Sequence, residues 1–246
     1  MDFEYISRNI EDIERRVANA AERAGREPSS VTTVAAVKYA DAEEIRQLVL
    51  RGVREIGENR VQQLQEHLEA LGELRSQIKV HFIGTLQKNK VKYLIREVDL
   101  IHSVDSVSLA EEIEKQAAKV DRVIDLLVEI NSGREESKSG VLPEEAEALC
   151  RAILSYPHLR LCGFMTMAPK ADEASYRSCF SATRELGQKI WRQLGVEQRA
   201  PVYSMGMSES FEIAIEEGAD IVRVGRAFFQ KDGVFPPIPV GNQAAK

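Results

Sequence analysis

From Phe3 onward, apolar residues return every three or four positions: Ile6, Ile10, Ile13, Val17, Ala20 and Ala24. That period lines one face of a helix, so the pattern predicts an amphipathic helix from Phe3 to about Arg26, stopped by Gly25 and Pro28. The rhythm changes at Val31. Short apolar or β-branched runs at 31–37, 53–56, 80–83, 100–101, 123–130, 159–164, 202–203 and 221–224 predict strands. Between them, residues 41–51, 59–71, 86–96, 106–118, 143–155, 173–194 and 209–217 carry the helical period. Strands alternating with helices predict a parallel α/β fold, and a count of eight favours a single closed (β/α)8 TIM-type barrel over an open doubly wound sheet. The expected layout is one domain over 1–246: an extra N-terminal helix (1–28), the barrel (31–230) and a Pro-rich extended tail (231–246) that packs along the barrel or is disordered.

Composition narrows the class. The 246 residues hold 39 Asp+Glu against 33 Lys+Arg, a formal net charge of −6, which argues against a generic nucleic-acid binder. Cys150, Cys162 and Cys179 are odd in number and contain no C-x-x-C pair, arguing against a disulfide framework or a cysteine zinc site. His67, His102 and His158 show no ligand spacing. No apolar run reaches the ~18 residues that suggest a membrane span, and the N-terminus, rich in acids, is not a secretory signal. The expectation is a soluble, cytoplasmic protein. Neither G-x-G-x-x-G after the first run nor a P-loop motif occurs, so the usual marks of a nucleotide site are missing.

In a (β/α)8 barrel the functional side chains gather where strands end, and the loops after strands seven and eight commonly hold phosphate. The first strand delivers Lys38. At the end of an apolar run its amine is expected to be partly desolvated and available to a carbonyl; the alternative is a lysine snorkelling from the barrel mouth. The seventh strand leads into Ser204, Gly206 and Ser208, whose hydroxyls precede a helix start and suit an anionic oxygen or a plain N-cap. The eighth ends in Arg223, Gly225 and Arg226: a glycine that lets backbone N–H groups approach a ligand, flanked by two guanidinium groups. An aldehyde that also carries a phosphate would satisfy all three places.

The segments VAAVK, IGENRVQ, HFIGTLQKNK, HSVDS, INSGREESKSGV, GFMTMAP and SMGMSESFEIAIEEGADIVRVGRAFF, in that order, resemble the pyridoxal phosphate homeostasis protein family from about Val31 to Phe229. The resemblance implies the alanine-racemase N-terminal-domain type of barrel (PLP fold-type III) and pyridoxal 5′-phosphate (PLP) as cofactor. It implies that Lys38 forms the Schiff base, and that Ser204, Gly225 and the backbone at Arg226 hold the phosphate, with Ser208 near it. It also implies that Arg223 faces the pyridine nitrogen and that Asn59 and His81 line the pocket. Three positions depart from the family pattern: Val37 for serine, Asp41 for proline and Arg226 for threonine. At the last, the arginine either compensates through charge or points away.

An arginine opposite the ring nitrogen implies an unprotonated ring and a weak electron sink. A racemase of this type also needs an opposing acid/base from a second domain, for which the chain leaves no room. The expectation is therefore a non-catalytic, monomeric PLP carrier or regulator that exchanges its cofactor with PLP-dependent apoenzymes. The alternatives are a PLP-dependent amino-acid racemase, and a cofactor-free barrel enzyme acting on a phosphorylated metabolite. The LQKNKVK run at 86–92 offers an anion or RNA site, or a solvated helix start, and Lys138, near Glu135 and Glu136, offers a second phosphate site, an amine that attacks PLP or a solvent-facing loop. Met165, Met167, Met205 and Met207 read as core and pocket wall.

Overall fold

A computed structural model describes residues 2–134, 139–196, 199–233 and 235 of the chain. Helix α1 (Glu4–Arg23) buries Ile6, Ile10, Ile13, Val17 and Ala20, the stripe its periodicity predicts. Polar groups on the same face anchor it. The Asn9 amide donates to the carbonyls of Phe228 and Gln230 at 2.9 and 2.8 Å, and the buried Arg16 pairs with Glu212 at 2.6 Å.

Eight strands follow: β1 (Thr32–Ala36), β2 (Glu55–Glu58), β3 (Lys79–Phe82), β4 (Leu100–Val104), β5 (Ile124–Glu129), β6 (Leu159–Met165), β7 (Val202–Met207) and β8 (Ile221–Val224). Each pairs in parallel with the next, and β8 pairs back onto β1, closing the barrel. Helices α2 (Ala42–Leu50), α3 (Val61–Leu71), α4 (Val91–Leu94), α5 (Val107–Lys119), α6 (Ala146–Leu154), α7 (Glu173–Leu194) and α8 (Phe211–Glu216) come one after each of the first seven strands. Strands covered on both faces need apolar residues throughout, so Val34, Val80, Ile101 and Leu126 are fully buried.

The departures from expectation have local causes. Strand β7 extends past Tyr203 to Met207, because a barrel interior accepts small and polar side chains that no apolar run advertises. At Gly206 the backbone turns through φ +86°, where a Cβ would lie 2.6 Å from that of Ala214. Helix α8 accordingly starts at Phe211, two residues late, and the 86–96 segment is a 3-10 turn (Lys88–Lys90) with the short α4. Lys88 and Lys92 face solvent, and Lys90 and Lys92 flank the Tyr93 ring at 5.9 and 4.8 Å.

Asp41 acts as a helix start. Its carboxylate accepts from the Glu44 backbone N–H at 2.8 Å, and Glu44 accepts from the Asp41 N–H at 3.0 Å. Such a capping box contributes about 1 kcal/mol. Among the described residues no helix is long and apolar enough to cross a membrane, and no His/Cys/Asp/Glu cluster could hold a metal ion. Glu135, Glu136 and Lys138 lie outside the described residues, as does the tail at 234 and 236–246. Phe235 is buried, and its carbonyl accepts from Arg16 at 2.9 Å.

Candidate functional site

The C-terminal ends of the strands surround a cavity of about 710 Å³. Its lining brings together Lys38 beyond β1, Asn59 beyond β2, Ser208 beyond β7, and Arg223, Gly225 and Arg226 on and after β8. Lys38 is exposed, which corrects the expected desolvation: β1 ends at Ala36, and the lysine already stands on the rim with its ammonium 4.9 Å from the centre of the Tyr39 ring. The buried Asn59 Oδ1 has no hydrogen-bond partner among the described residues.

Beside Lys38, on the loop after the neighbouring strand β8, the backbone N–H groups of Gly225 and Ala227 converge on the Ser208 hydroxyl oxygen at 3.1 and 3.4 Å. Ser208 is therefore a link between β7 and the loop after β8, and not the N-cap that its position suggested. A Cβ at Gly225 would come within 3.2 Å of the Ala36 carbonyl oxygen, so the backbone lies close where a bulkier residue would crowd it. Paired N–H groups beside an open cavity can turn to an anionic oxygen. The Arg226 side chain is paired along the rim: it donates to Glu209, which lines the same cavity, at 2.8 Å, sits 5.1 Å from the Phe235 ring and is 58% exposed.

Two expected residues do not reach the cavity. Ser204 is fully buried beneath it, where its hydroxyl bonds to Arg223 Nη1 at 2.5 Å and His102 Nδ1 at 2.9 Å. His81 points into the barrel interior, with Nδ1 2.8 Å from His102 Nε2 and Nε2 2.7 Å from Glu55 at the start of β2. The resemblance implies Ser204 at the phosphate and His81 in the pocket lining; strand alternation turns both inward below the cavity.

Arg223 spans the two layers. It lines the cavity, yet it is 3% exposed and donates through Nη2 to the Thr166 carbonyl at 2.9 Å. Burial lowers its pKa to about 10, opposed by the Glu129 carboxylate, so it stays protonated at neutral pH. Burial pushes the Glu129 carboxyl up to about 7; Arg223 works against that rise and Asp105 adds to it. His102 falls well below the ordinary histidine value, first through burial and then through the charges of His81 and Arg223. The roles of His102, Thr166 and Glu129 were missed from sequence; the one signal was that His81 and His102 both interrupt apolar strand runs. Tyr176 of α7 also lines the cavity, and nothing in its helical spacing announces this.

Residues 9–231 match the family model for the alanine racemase N-terminal domain. A pyridoxal phosphate homeostasis protein from Aquifex aeolicus is 43% identical over 227 residues, covering 92% of this chain and 96% of the relative. The chain belongs to the pyridoxal phosphate homeostasis protein family. A second member, from Pseudomonas aeruginosa, is 36% identical over 91% of this chain and 94% of its own length. Among solved structures, PipY of Synechococcus elongatus with PLP bound superposes with a TM-score of 0.76 at 30% identity, over 85% of this chain and 99% of that one. Alanine racemase from Corynebacterium glutamicum shares the fold, with a TM-score of 0.68 at 20% identity over 98% of this chain and 63% of that one.

Proposed function

We propose that this chain holds PLP at Lys38 and acts in PLP homeostasis, storing the cofactor and passing it to apoenzymes without robust turnover of its own. The observation that carries this reading is the cavity itself. The end of β1 offers the exposed Lys38 amine, the loop after the adjoining β8 offers the converging Gly225 and Ala227 N–H groups, and the buried Arg223 also lines it. When bound, PLP supplies an aldehyde that condenses with an amine and a phosphate dianion that anchors the molecule. The residues fit that group: a backbone close-packed at Gly225, an Asn59 oxygen unpaired among the described residues, and a guanidinium that can only donate.

In this reading the Gly225 and Ala227 N–H groups and the Ser208 hydroxyl bind the phosphate. Arg226 contributes its backbone only. Arg223, held by Ser204 and Thr166, orients the ring and keeps its nitrogen unprotonated, which withholds the electron sink that amino-acid chemistry needs. The names of the relatives, homeostasis proteins and not racemases, support the same reading.

The test is an absorbance titration with PLP of the protein and of Lys38→Ala. A near-visible band that the substitution removes is expected; a band unchanged in Lys38→Ala, or none in either protein, would sink the assignment. Solvent deuterium entering an amino acid at its α-carbon faster than with PLP alone would replace the carrier with a racemase.

A further inference from the structure

Beneath the cavity, four hydrogen bonds join five side chains in one line from Arg223 to the opposite end of the barrel. Arg223 Nη1 meets Ser204 Oγ at 2.5 Å, Ser204 Oγ meets His102 Nδ1 at 2.9 Å, His102 Nε2 meets His81 Nδ1 at 2.8 Å, and His81 Nε2 meets Glu55 Oε2 at 2.7 Å. The three central groups are almost wholly buried, at 0% for Ser204 and His102 and 5% for His81.

With one ring proton on each histidine, the chemistry of the two ends fixes the direction of every bond between them. An arginine can only donate, and an ionised carboxylate can only accept. The hydrogen bond from His81 is the largest influence holding the Glu55 carboxyl below its ordinary value, so the far end is an acceptor. His102 is neutral and carries one ring proton. Ser204 must then accept from Arg223 and donate to His102 Nδ1. His102 donates from Nε2 to His81 Nδ1, and His81 donates from Nε2 to Glu55. Four protons serve four links with none left over. The reverse order would point His102 Nδ1–H at a serine oxygen that already accepts from Arg223, and strand the serine proton without an acceptor.

We infer that Ser204, His102, His81 and Glu55 form a one-way hydrogen-bonded chain that positions Arg223 for the ring of PLP, making Ser204 and His102 positioning residues and not phosphate or metal ligands. The chain spends Arg223 Nη1 on Ser204 while Thr166 takes Nη2, which locks the guanidinium plane and leaves its remaining N–H groups for the cavity. This rests on the PLP reading above, and the experiment separates the two.

Correlation spectra of the histidine ring 15N nuclei in the unmodified protein, recorded without PLP, read the order directly. His102 is expected as the Nε2–H tautomer with an accepting Nδ1; a protonated Nδ1 overturns the inference. His81→Phe removes the acceptor for Nε2–H, so the His102 pattern should invert and the PLP concentration for half-saturation should rise about tenfold, the scale of one buried hydrogen bond. No change in either readout overturns the inference.

Where His81→Phe does not fold, Ser204 supplies the second arm. Ser204→Ala should weaken PLP binding by a similar factor, and Ser204→Thr, which keeps the hydroxyl, should restore it; equal losses in both point to packing alone and overturn the role. PLP held at Lys38 with His102 in the opposite tautomer defeats the chain and leaves the cofactor reading standing. The expected tautomer in a protein that takes up no PLP defeats the cofactor reading, and with it the positioning role.

Discussion

The cavity rim and the barrel interior beneath it are both polar, yet they follow opposite rules. At the rim, Lys38 and Arg226 are exposed and Asn59 keeps a buried oxygen without a partner among the described residues. One layer down, Arg223, Ser204, His102 and His81 are buried and each is bonded to the next. The difference follows from what each layer has to do. A group that must take up a ligand stays uncommitted, as Lys38 does, or is held by a bond it can exchange, as the Gly225 N–H is by Ser208. A buried polar group left unmatched costs about 1–3 kcal/mol, so each member of this inner line has a partner.

The sharpest break of that contrast is Arg223→Met. It strips Ser204 and Thr166 of a buried donor, and urea unfolding should show a loss of roughly 2–4 kcal/mol. A loss below ~0.5 kcal/mol would show that the interior tolerates unpaired groups as the rim does.

Next in size is a pH effect in the same layer. The folded-state pKa of Glu129 is raised to about 7 from an ordinary value of 4.5, so between those values the native protein binds more protons than the unfolded chain. Stability from this group is therefore present at low pH and lost as pH rises toward 7, with a slope of up to about 1.4 kcal/mol per pH unit. Glu129→Gln should flatten that slope in unfolding curves at pH 5, 6 and 7; an unchanged slope would assign it elsewhere.

The smallest effect belongs to the rim. Arg226→Thr breaks an exposed pair with Glu209 and should cost no more than about 1 kcal/mol. PLP affinity should change by less than threefold, because that side chain is committed to Glu209. A larger loss of affinity would mean that Arg226 swings in to hold the ligand.

Sequence pattern alone determined the barrel. Eight apolar runs separated by helical periods allow few other topologies, and the α1 stripe and most element bounds follow from the same burial requirement. Six of the eight expected site positions, from Lys38 to Arg226, could be placed on one cavity, because a barrel's topology sends every strand's C-terminal end to the same face.

Tertiary structure decided the rest. Whether Ser204 lies in the cavity or below it depends on the inward phase of β7, a strand whose serine and glycine hid it from an apolar pattern. That His81 meets His102, 21 positions away in the chain, depends on the stagger between β3 and β4. Asp41 departs from the family pattern and serves as a cap, and Arg226, for which the sequence left open both a charge on the phosphate and a side chain turned elsewhere, pairs with Glu209. Local periodicity records which residues are buried. Only the closed barrel brings distant polar groups within bonding distance, and there the cost of leaving a buried donor or acceptor unpaired selects their partners.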